Sequence, residues 1–95
     1  MTKKTNRFDN VWDAIERTPA IAENMKLRST LMLALKDYIT RESLTQSQAA
    51  KLFGVTQPRI SDLIRGRIDL FAIDTLVNML ATAGLRVELH LSRAA

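Results

Sequence analysis

The stretch AAKLFGVTQPRISDLIRGR, Ala49–Arg67, decides how this chain folds. Pro58 stands near the front of a short helix predicted over Gln57–Arg65. Ile60, Leu63 and Ile64 fall on one face of it, so Gln57, Pro58, Ser61, Asp62 and Arg65 look outward. With Thr56 as N-cap, Gln57 is the first helical residue and Pro58 the second. A proline in the first turn forfeits no intrahelical N–H bond, so it starts the helix without breaking it. Just upstream, LTQSQ sets Thr45 as an N-cap with Gln48 three residues on, the spacing of a capping box. That helix ends near Phe53, where Gly54 is free to take a left-handed turn.

Working outward, Thr18–Pro19 supplies a cap and an N1 proline for a long helix to about Arg41. Its apolar stripe is Leu27, Leu31, Ala34, Leu35, Tyr38 and Ile39. Ahead of it, Asp9 caps a first helix through Arg17 that buries Val11, Trp12 and Ile15. Downstream, Ile73, Leu76, Val77 and Leu80 predict a helix over about Ile73–Ala83, with Gly84 just past its end. RVELHL, Arg86–Leu91, then alternates, with Val87, Leu89 and Leu91 on one side and Glu88 and His90 on the other. That period of two is a strand signature.

Composition sets the class. A chain of 95 residues, 46% hydrophobic and 25% charged, makes one domain, 1–95, able to bury a core. No apolar run approaches the roughly 18 residues that span a bilayer. MTKKTNRFDN is basic but has no apolar stretch behind it, unlike a secretory signal. Absence of cysteine excludes disulfides and thiol-ligated metals, and fits a cytoplasmic location. The net charge is +4, and between Lys51 and Arg67 the cations Lys51, Arg59, Arg65 and Arg67 face only Asp62. Such an excess suits a polyanion; it also suits a solvated basic face.

Two short helices around a glycine-bearing turn form a helix-turn-helix when they pack steeply, here over residues 46–65. Small Ala49 and Ala50 fit the contact point, Gly54 fits the turn, and Phe53, Val55, Ile60 and Leu63 pin the second helix to the first. Over roughly Leu31–Leu85 the chain resembles the XRE family of DNA-binding proteins, the group of phage repressors and Cro. The resemblance implies a mainly α, lambda repressor-like fold, a five-helix-type bundle with one C-terminal strand. It also implies that Gln57, Pro58, Ser61 and Asp62 occupy base-reading positions, flanked by Arg59. Gln pairs with adenine, Asp accepts from cytosine N4, Ser is permissive, and Pro58 fits a thymine methyl. Gln46 matches the family's phosphate-contacting position, and Thr56, Lys51, Arg65 and Arg67 join it on the backbone. Asp62 lies three residues from both Arg59 and Arg65, so base contact and ion pairing both stay open.

The Arg86–Leu91 strand finds no second strand in this sequence, and a lone strand leaves its edges unpaired. Pairing with another copy about a twofold axis, through Val87, Leu89 and Leu91, solves this and suits a palindromic operator. A frayed tail, a helix extension, or addition to another protein's sheet are the alternatives. With FDNVWDAI and RGRIDLFAIDTLVNMLATAGL, the whole chain is similar to compact HigA-type antitoxins and related small regulators. That resemblance implies a homodimeric repressor of its own operon that also binds a co-encoded toxin of the RelE/HigB kind. A stand-alone regulator, or an interaction module without specific DNA binding, remains open.

Catalysis is not expected. His90 is the one histidine, on the polar side of the strand next to Glu88, with no Cys to form a dyad. Asp9, Asp13 and Glu16 share a helix, but such carboxylates are mostly solvated. Gly54, Gly66 and Gly84 are isolated, so no phosphate loop exists. No cofactor, metal or membrane contact is implied.

Overall fold

The computed structural model describes residues 18–93. The helix expected over Asp9–Arg17, with Trp12, lies outside the described residues. Four α-helices follow: α1 Pro19–Arg41, α2 Gln46–Phe53, α3 Gln57–Ile64 and α4 Ile73–Thr82, with a 3-10 turn at Ile68–Leu70.

The caps act as the sequence predicts. The Thr18 hydroxyl accepts from the Ile21 amide at 3.2 Å and starts α1 with Pro19 in its first turn. At α2, Thr45 Oγ1 accepts from the Gln48 amide at 3.1 Å while the Thr45 amide donates to Gln48 Oε1 at 2.8 Å. Both halves of the capping box are therefore made. At α3 the Thr56 hydroxyl accepts from the Arg59 amide at 3.4 Å, with Pro58 in the first turn. The helix ends at Ile64, one residue before the predicted end, with Arg65 as its C-cap.

Helix ends close by left-handed turns. Gly66 follows α3 at φ +74°, and its closure carries the Arg67 amide to the Asp62 carbonyl and the Gly66 amide to Leu63. The same pair of bonds closes α1 around Ser43, at φ 53°, a residue that bears a Cβ. Sequence gave no sign of that turn, because serine is not the residue that relieves a positive φ.

The core forms where α1 crosses α4 and the α2–α3 pair closes beneath them. Leu31, Met32, Leu35 and Ile39 of α1 meet Leu76, Met79 and Leu80 of α4, Ala49, Ala50 and Phe53 of α2, and Ile60 and Leu63 of α3. Tyr38 meets Phe53 edge to face at 6.1 Å. The predicted stripe on α1 needs one exchange: Ala34 is exposed and Met32 is buried. At about 100° per residue, Ala34 sits on the flank of the Leu31–Leu35–Ile39 face, and Met32 on the opposite flank, which α1 turns inward.

Two further expectations are corrected. Ile64, assigned to the apolar face, is 38% exposed, because Ile60 and Leu63 already fill the contact with α2. Residues 86–91 form no strand: the tail makes no ladder with any described segment. A strand exists only as a member of a hydrogen-bonded pair, and the described residues supply no second member. Instead Leu85 and Val87 pack on the core, and the tail runs back along α1, past Tyr38 and Ala34 towards Leu27 and Ala20. Leu89 and Leu91 stay 72% and 90% exposed.

Candidate nucleic-acid interface

The α2–α3 pair has the tight contact that its sequence demands. Ala49 is fully buried where the helices meet, and Ile60 and Leu63 are fully buried behind it. Gly54 turns the chain at φ +71°; a Cβ there would meet Thr82 Cγ2 at 3.3 Å, so the turn is also fitted against the end of α4.

This packing leaves one polar face outward. An open depression of about 370 Å³ is lined by Gln46, Gln57, Pro58 and Ser61. It joins three predicted base readers to the predicted backbone contact of α2. Gln46 opens α2, and Gln57 with Pro58 opens α3, so the positive ends of both helices border the depression. A polyanion is thereby favoured at its rim.

The remaining predicted residues lie outside that lining. Lys51 is exposed, with no ion pair among the described residues. Thr56 is engaged as the cap of α3. Arg65 pairs with Asp62 at 3.4 Å and Arg67 with Asp69 at 3.8 Å. Pairs this exposed hold weakly, so both arginines can exchange a carboxylate for a phosphate. Of the two arginines in reach of Asp62, Arg65 takes it.

Arg59 is placed differently. Its Nη1 donates to the Leu70 carbonyl at 3.0 Å, and its guanidinium carbon lies 5.4 Å from the centre of the Phe71 ring. Arg28 of α1 reaches the same turn from the other side, donating to the Ile68 carbonyl at 3.2 Å and the Phe71 carbonyl at 3.5 Å. Its Nε donates to Asn24 Oδ1 at 2.7 Å. The Arg28 contact escaped the sequence. Its one trace there is a cation four residues from Asn24, beside the apolar Leu27 and Leu31.

The described residues contain no group of three or more His, Cys, Asp or Glu side chains placed to hold a metal. No helix among them is long and apolar enough to cross a membrane.

Residues 16–92 match the family described as "Helix-turn-helix domain". A solved structure named "Putative XRE Family Transcriptional Regulator" superposes with a TM-score of 0.70 at 29% identity, covering 77% of this chain and 82% of that one. The chain belongs to the XRE-type helix-turn-helix family. No curated protein matches the chain. The second helix of the helix-turn-helix pair is α3.

Proposed function

We propose that this XRE-type protein is a sequence-specific repressor that binds double-stranded operator DNA as a homodimer. The observation that carries this is the depression lined by Gln46, Gln57, Pro58 and Ser61, bordered by two helix N-termini. Gln57, Ser61 and Pro58 have the donor, acceptor and apolar chemistry that reads base edges. Asp62 either accepts from a cytosine or stays with Arg65. Lys51, Arg65 and Arg67, with Gln46 and Thr56 at the two helix starts, hold phosphates.

The second protomer is supplied through the tail. Leu89 and Leu91 expose an apolar pair beside unpaired backbone, and a second copy offers the matching edge for Val87, Leu89 and Leu91. Two α3 helices then meet half-sites about one helical turn apart. The likeness of the full chain to compact HigA-type antitoxins supports an autoregulating antitoxin that neutralises a RelE/HigB-like toxin. Co-expression with the protein encoded next to it, followed by isolation of a stable complex, tests that part separately.

Fluorescence anisotropy with the DNA upstream of the coding sequence tests the core proposal. If Lys51, Arg65 and Arg67 each neutralise one phosphate per protomer, log K falls against log[salt] with a slope of about −5 for the dimer. Affinity for that DNA no higher than for random duplex of equal length refutes specific recognition.

A further inference from the structure

We propose that Arg59 is a positioning residue, holding the first turn of α3 against the Ile68–Phe71 segment and reading no base. This rests on the DNA-binding function proposed above. Arg59 is the third residue of α3, directly after Gln57 and Pro58. Its guanidinium is committed twice, to the Leu70 carbonyl at 3.0 Å and to the face of Phe71 at 5.4 Å. Phe71 is only 1% exposed, so the platform beneath the cation is fixed by the core.

The segment it grips is a short 3-10 turn, whose carbonyls have few partners of their own. Arginines supply them: Arg28 at Ile68 and Phe71, and Arg59 at Leu70. Through this turn the start of α3 is tied to α1. Burial of Ile60 and Leu63 fixes where α3 lies, while the Arg59 contacts restrain the tilt of its exposed first turn. Reaching a base edge would require Arg59 to give up both contacts. Gln57, Pro58 and Ser61 already line the depression and need give up nothing.

The test uses the full chain with R59A and R59K, at a temperature where circular dichroism reports both fully folded. Operator affinity is measured for the native site and for sites with each base pair replaced in turn. For R59A, affinity falls about tenfold, as expected for losing a charged hydrogen bond and a ring contact. Discrimination weakens together over all base pairs that α3 reads, and the salt slope is unchanged. R59K returns affinity to within about threefold, because an ammonium retains the charge over the ring and one donor.

Three results overturn the proposal. Loss of discrimination at a single base pair makes Arg59 a reader. A salt slope shallower by about 2 for the dimer makes it a phosphate contact. Unchanged affinity in folded R59A removes any positioning role. If the wild-type chain itself fails to discriminate operator from random DNA, the proposed function falls instead. Arg59 is then judged without DNA, by amide hydrogen exchange. Faster exchange at Ile60 and Ser61 in R59A, with Leu35 unchanged, supports positioning, and unchanged exchange overturns it.

Discussion

Replacing Gly54 with alanine tests the turn on which the α2–α3 geometry depends. Two penalties act together at this position. The backbone is held at φ +71°, where a Cβ costs an L-residue about 1–2 kcal/mol. The added Cβ would also lie 3.3 Å from Thr82 Cγ2. Thr82 cannot yield freely, because its hydroxyl donates to the Asn78 carbonyl at 2.9 Å and fixes its rotamer. Moving it off that rotamer costs about 0.5–1.5 kcal/mol. Alanine returns about 0.4–1 kcal/mol by narrowing the unfolded ensemble. The net loss is about 1–2.5 kcal/mol, a fall in melting temperature of roughly 5–20 °C for a domain of this size. Gly66 and Gly84, at φ +74° and +83° with open space around them, serve as controls that carry the backbone penalty alone. Thermal melts followed by circular dichroism should rank G54A below G66A and G84A. Adding T82S, which removes the clashing methyl, should recover most of the difference. If G54A melts together with the two controls and T82S changes nothing, the fit of the turn against α4 is wrong.

Ser43 carries the same backbone penalty naturally, at φ 53°, so S43G should raise stability by up to about 1 kcal/mol in urea melts. A loss there would show that α1 does not end in a left-handed turn. D62N removes a carboxylate from α3, the helix proposed to face DNA. Binding to random duplex should tighten, with stability changed by less than about 0.5 kcal/mol, since the Asp62–Arg65 pair is weakly held. Selective loss of one C·G preference would instead make Asp62 a reader. The pair L89E/L91E should give monomers by sedimentation equilibrium without lowering the melting temperature of the monomer, because both side chains are largely exposed. A persistent dimer would exclude tail-to-tail pairing.

What the sequence made legible was what local chemistry decides. Thr18, Thr45 and Thr56 cap the helices they precede because a hydroxyl needs only its neighbours' amides, and Pro58 sits where its missing N–H is harmless. Of the candidate DNA face, helical spacing turned Gln57, Pro58 and Ser61 outward and the family resemblance added Gln46, and the four share one depression. Tertiary choices were not legible. Whether Met32 or Ala34 turns inward depends on how α1 rolls over α4, and both are compatible with the periodicity. The commitment of Arg59 to Leu70 and Phe71 involves partners 11 and 12 residues away in a turn that periodicity does not reveal. The alternation in RVELHL is real, but alternation describes two faces of a segment and does not supply the edge it needs.

The central claim, that α3 presents Gln57 to base edges in the major groove, is tested most directly by disulfide crosslinking. The chain contains no cysteine, so Q57C carries a single thiol. It is mixed with operator duplexes bearing a thiol-tethered cytosine at N4, which projects into the major groove, at successive positions. D37C, on the exposed face of α1, is the control. The account predicts a crosslink from Q57C at one or two positions per half-site and none from D37C. Crosslinking that is equal for the two variants, or spread evenly along the duplex, would contradict it.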